Sequence, residues 1–110
     1  MTLGFHWLAT ASGCDPAKIR DRERVREVLD RLGPTLGLTA VGGPAVHVND
    51  DGSLVGFVLL AESHASMHVP PQGDGFLADV FSCVSFDAEV AAELLVDAFG
   101  GNLQGRIVER

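Results

Sequence analysis

A chain of 110 residues can build one hydrophobic core but not two, so it reads as a single domain over residues 1–110. An apolar share of 46% excludes a disordered chain, and a formal charge of −7 argues against nucleic acid as a partner while suiting a cationic small molecule. No apolar run is long enough for a membrane span, Met1–Gly13 lacks the basic leader of a signal peptide, and the two distant cysteines, Cys14 and Cys83, suit a reducing compartment, so a cytoplasmic protein away from membranes is expected.

In chain order, Phe5–Thr10 reads as a short strand. Asp15-Pro16 is a helix start, with a carboxylate at the N-cap and proline at the first helical position. Val25, Val28, Leu29, Leu32 and Leu36 then recur at helical spacing, and Gly33-Pro34 predicts the stop. Leu38–Val48 is expected to be a strand interrupted near Gly42-Gly43-Pro44. Asn49–Ser53 is a turn by composition, making a hairpin with Leu54–Ala61.

Ala65–Val69 reads as a short strand ending at Pro70-Pro71, and Gln72–Gly75 as a turn. Phe76–Cys83 alternates, with Phe76, Ala78, Val80 and Ser82 on one side and Leu77, Asp79, Phe81 and Cys83 on the other. Asp87 caps a second helix with Val90, Ala91, Leu94, Leu95, Ala98 and Phe99 as its apolar stripe; Gly100-Gly101 ends it, and Leu103–Val108 is a last strand. The pattern predicts an α+β fold: a two-layer sandwich of a mostly antiparallel sheet with two helices on one face.

Three features bear on chemistry. Lys18 is the only lysine and lies in the first turn of a surface helix, so the buried lysine that a pyridoxal phosphate enzyme needs is absent. The four histidines show no metal-ligand spacing, so no metal is expected, and there is no phosphate-binding glycine loop. The segment AESHASMHVP (Ala61–Pro70) places Glu62-Ser63-His64 at the end of the apolar run Leu54–Ala61. A serine there can attack the carbonyl of Glu62, and the expected base near it is His68. The ester formed by that N-to-O shift, after β-elimination and loss of ammonia, leaves a chain that begins with a pyruvoyl group.

This segment resembles the self-cleavage site of the prokaryotic S-adenosylmethionine decarboxylases, pyruvoyl enzymes of polyamine biosynthesis. Their motif reads roughly E-S-H-x-S-I-H-T-x-P-E and is followed by a strand ending D-V-F-T-C. The matching residues are Glu62, Ser63, His64, Ser66, His68 and Pro71, then Asp79-Val80-Phe81-Ser82-Cys83, with Gly13-Cys14-Asp15 ahead of the first helix. The resemblance implies self-cleavage between Glu62 and Ser63, with Ser63 as the source of the pyruvoyl cofactor. It also implies that His68 assists ester breakdown and that Cys83 donates the proton that replaces carbon dioxide. A homodimer of cleaved protomers, with residues of both subunits at each site, is implied as well. His64 takes no role from it, Cys14 reads as a small structural residue, and His6 and Trp7 read as core or interface residues.

The chain departs from the family pattern on the substrate side. Gln72 stands where a glutamate holds the ribose hydroxyls, and Asn49 where an aromatic stacks on adenine. Val55 stands where a serine contributes to maturation, with Ser53 two residues earlier, and Thr10-Ala11-Ser12 replaces Glu-Phe-Tyr. A pocket without the aromatic and the ionised acceptor should hold an adenosyl group poorly. The expected function is therefore a pyruvoyl-dependent decarboxylase of a small-molecule substrate, a basic amino acid such as ornithine or arginine. The alternatives are a genuine S-adenosylmethionine decarboxylase with a diverged pocket, or a regulatory paralogue that neither cleaves itself nor catalyses.

Overall fold

The computed structural model describes residues 1–110. It contains six strands and three helices: β1 (Phe5–Ser12), α1 (Pro16–Ile19), α2 (Arg22–Thr35), β2 (Ala45–Val48), β3 (Leu54–Leu60), β4 (Ser63–Val69), β5 (Phe76–Ser82), α3 (Ala88–Phe99) and β6 (Asn102–Glu109). The strands form one sheet in the order β2-β3-β4-β5-β1-β6, and every pairing is antiparallel. The helices cover one face of this sheet, giving the two-layer α+β sandwich expected from the pattern.

Alternation along the strands decides what faces the helices. Leu54, Gly56, Val58 and Leu60 of β3 are buried and Val55, Phe57 and Leu59 are exposed. Ala65, Met67 and Val69 of β4, and Phe76, Ala78, Val80 and Ser82 of β5, point the same way. Against them lie Val25, Val28, Leu29 and Leu32 of α2, and Ala91, Leu95 and Phe99 of α3. These are the stripes read from the helical spacing. Gly56 lets α2 approach, since a Cβ built there would be 2.5 Å from a Leu29 methyl carbon.

Strand ends shift by one or two residues, with β4 starting at Ser63 and not Ala65, and three larger differences from the sequence reading stand out. The first helix is broken at Arg20-Asp21, because the Asp21 carboxylate accepts the amides of Glu23 and Arg24 and starts a new helix. Gly33-Pro34 does not stop α2. Pro34 lies in the last turn, and termination comes at Gly37 with φ of 73°. There the Leu38 amide bonds the Gly33 carbonyl and the Gly37 amide bonds the Pro34 carbonyl, a Schellman closure. The expected strand over Leu38–Val48 is reduced to β2 plus one isolated bridge between Ala40 and Leu60, because Gly42-Gly43-Pro44 breaks the ladder.

Candidate active site

Ser63 lies at the start of β4 rather than at the end of β3. Leu60 and Ser63 face each other across a two-residue turn, Ala61-Glu62, in which both residues have negative φ. A strap over residues 39–41 holds this turn. The Ala61 amide donates to the Thr39 carbonyl at 2.8 Å, and the Val41 amide to the Leu59 carbonyl at 3.0 Å. The Glu62 carboxylate accepts from the Thr39 amide at 2.9 Å and the Thr39 hydroxyl at 3.2 Å. The Thr39 amide holds the Glu62 carboxyl below its ordinary value, with the hydroxyl adding to the effect.

One hydrogen bond reaches the link between Glu62 and Ser63, and another holds the Ser63 hydroxyl beside it. The Glu62 carbonyl oxygen accepts the backbone N–H of Cys83 at 3.1 Å. Ser63 Oγ is 2.9 Å from His64 Nδ1. The imidazole is fixed by aromatic neighbours: Phe57 is stacked at 5.5 Å with an interplanar angle of 22°, and Phe81 lies at 6.0 Å. Register places Ser63 opposite Ser82 and His64 opposite Phe81. Exposed Cys83 follows at the end of β5, and the Oγ of buried Ser82 accepts the Val84 amide at 3.0 Å. Glu62, Ser63 and Cys83, three residues singled out from the sequence, thus meet at one end of the sheet.

His68 is not there. It is five residues along β4 from Ser63, about 16 Å at ordinary strand rise, and it belongs to the exposed face while Ser63 shares the parity of the buried residues. The expectation of His68 as a base near Ser63 does not hold within one chain. His68 instead pairs in register with Val55 of β3 and Leu77 of β5. Asn49 and Gln72 lie at this second end of the sheet, next to β3 and β4 respectively. Asn49 Nδ2 donates to Ser53 Oγ at 3.0 Å, and Ser53 donates through its amide and hydroxyl to Asp51. These Ser53 bonds, the hydroxyl first, lower the Asp51 carboxyl below its usual range. Arg20 clamps the loop carrying Gln72 by donating to the Pro70 and Gly73 carbonyls at 3.0 and 2.9 Å.

Between the two ends the sheet presents an uncovered face. It carries exposed Val55, Phe57, Leu59 and Leu77, half-buried Leu8 and Phe81, and the pair His6 Nε2–Asp79 Oδ1 at 3.2 Å. Trp7, read as core or interface, is core. Cys14 is buried, and burial followed by the Asp74 charge pushes its thiol pKa up, which keeps it protonated and inert. Sequence reasoning left His64 without a role and missed Thr39 and the Cys83 amide. Adjacency of Ser63 and His64 was visible, but nothing in the string fixes an imidazole rotamer. A backbone donor and a strap residue 23 positions away leave no sequence signal at all.

The sequence pattern described as S-adenosylmethionine decarboxylase matches residues 5–108. The chain is 31% identical over 104 residues to the S-adenosylmethionine decarboxylase proenzyme of Pyrococcus furiosus, covering 89% of this chain and 70% of that one. It is 31% identical over 98 residues to the proenzyme of Thermodesulfovibrio yellowstonii, covering 88% and 72%. The crystal structure of the adenosylmethionine decarboxylase from Aquifex aeolicus superposes with a TM-score of 0.79 at 28% identity, over 99% of this chain and 91% of that one. A match along nearly the whole chain, in sequence and in fold, settles the lineage: this chain belongs to the S-adenosylmethionine decarboxylase family, whose members are pyruvoyl-dependent decarboxylases.

Proposed function

We propose that the chain cuts its own Glu62–Ser63 link, converts Ser63 into a pyruvoyl group, and uses that group to decarboxylate a small amino-bearing substrate. One observation carries the reading: the Glu62 carbonyl oxygen, on the link that would break, already accepts the Cys83 N–H that would hold the resulting oxyanion. Elimination from the Ser63 ester leaves Glu62 as a free carboxylate, and water then releases ammonia. The pyruvoyl ketone supplies the electron acceptor that decarboxylation requires. Lys18 is exposed on α1, so the chain has no buried lysine to hold a pyridoxal cofactor. Cys83, next to the new terminus, would return the proton that replaces carbon dioxide.

The separation of the two ends supports a homodimer. In an isologous pair each patch meets its counterpart across a twofold axis. Two open faces stacked with their strands reversed would bring the sheet end that carries Ser63, His64 and Cys83 in one copy over the end that carries Val55, His68 and Gln72 in the other. Each site would then be complete, with His68 acting in trans on the ester. The exposed apolar side chains of this face give such pairing its driving force.

For the substrate, the reading is a basic amino acid, ornithine or arginine. Asn49 offers no stacking surface, and its amide donates within its own turn. Gln72 is a neutral acceptor, while Asp79 puts a carboxylate on the open face beside the aromatic rings. S-adenosylmethionine is the second reading, favoured by the substrate in the relatives' names. A carbon dioxide release panel over S-adenosylmethionine, ornithine, arginine and lysine decides between them. The proposal expects a basic amino acid to turn over fastest, and S-adenosylmethionine in first place would overturn this substrate assignment. Release from none of them by an uncleaved chain would identify a regulatory paralogue.

A further inference from the structure

Among all the side chains, one imidazole touches an atom that must react, and the sequence reading left it without a task. We infer that His64 is the general base of the first self-cleavage step, acting within its own chain on its neighbour Ser63. The inference rests on the self-processing reading above and adds a catalytic residue to it.

The geometry supplies each requirement of a base. His64 Nδ1 lies 2.9 Å from Ser63 Oγ, within reach of the proton that must leave before the oxygen attacks. The ring cannot swing freely, because Phe57 stacks on one side and Phe81 packs at an angle of 42°. On the electrophile, the Cys83 N–H already bonds the Glu62 carbonyl oxygen. Ser63 Oγ makes no other side-chain hydrogen bond, and His68 shares the face of His64 but lies five residues along the strand from Ser63, about 16 Å at ordinary strand rise.

The step balances on this chain's own atoms. Ser63 Oγ passes its proton to His64 Nδ1 as the oxygen bonds to the Glu62 carbonyl carbon, and the oxyanion is held by the Cys83 N–H. The Glu62 carbon–Ser63 nitrogen bond then breaks. His64 returns its proton to the departing nitrogen, leaving an ester and a free amine. His68 belongs to the later elimination, so the two histidines act on different species.

Removing each histidine should stall the chain at a different covalent state, and hydroxylamine separates the two because it splits esters and spares amides. His64→Phe keeps an aromatic ring between Phe57 and Phe81 but removes the nitrogen, and His64→Asn serves as a second variant should the first melt below Ser63→Ala. Cleavage by either folded variant, followed by intact mass, is expected to slow on the order of 10²-fold or more. The unsplit chain should stay intact in hydroxylamine, whereas unsplit His68→Ala should be cut by it. A folded His64 variant that cleaves at the parental rate would overturn the assignment, and so would one that accumulates hydroxylamine-sensitive ester. A parent chain that never splits would overturn the self-processing reading along with it.

Discussion

At the scale of residues, the site depends on which atoms of Cys83 do what. Its backbone N–H contacts the Glu62 carbonyl oxygen, while its thiol is free and exposed. The two contributions therefore separate by substitution. Cys83→Ala keeps the N–H, so cleavage should persist while turnover falls. Cys83→Pro removes the N–H, and losing one oxyanion donor should slow cleavage by about 10²–10³-fold. Fragment formation on a denaturing gel, read beside carbon dioxide release, checks both. Equal loss of cleavage in the two variants would show that the thiol, not the amide, matters for maturation. Glu62, Ser63 and Cys83 were singled out through the resemblance to the family motif, and they lie together at one end of the sheet. The His64 role was not legible, because a 2.9 Å contact depends on a rotamer set by Phe57 of β3 and Phe81 of β5, both on strands other than that of His64.

At the scale of elements, amphipathic spacing carried the fold. The α2 and α3 stripes and the alternation of β3 and β5 were readable because period 3.6 and period 2 are direct consequences of backbone geometry. The boundaries were not, because they depend on competing local bonds. Asp21 recaps a helix that Asp15 had already started, and Gly37 closes α2 where Gly33-Pro34 suggested an earlier end. Gly33 has a packing reason to lie inside the helix: a Cβ there would be 2.7 Å from a Leu60 methyl carbon, next to the cleavage turn. Gly56 has the same role one strand position from Phe57, against Leu29. Gly56→Val should force α2 away from β3 and destabilise the fold by roughly 1–3 kcal/mol, measured as a lower melting temperature. An unchanged melting temperature would mean that the helix–sheet contact is looser than the packing indicates.

At the scale of the whole molecule, the open face and the division of site residues between its ends make a case for assembly. The sequence places Ser63 and His68 close together, but five residues of extended strand put them at opposite ends of β4. A twofold pair removes the conflict and predicts complementation. Ser63→Ala and His68→Ala chains should each fail alone, the first as amide and the second as ester. Mixed, they should restore one working site per heterodimer, with the His68→Ala chain being the one that splits. Failure of the mixture to split, with the heterodimer present by native mass, would contradict action in trans.

The central claim is that this chain makes its own carbonyl cofactor, and the most direct measurement is the intact mass of freshly purified protein before and after borohydride. The account predicts two pieces, residues 1–62 and residues 63–110, the second with a blocked amino terminus and a mass gain of two hydrogens on reduction. A single full-length species that takes up no hydride would contradict it.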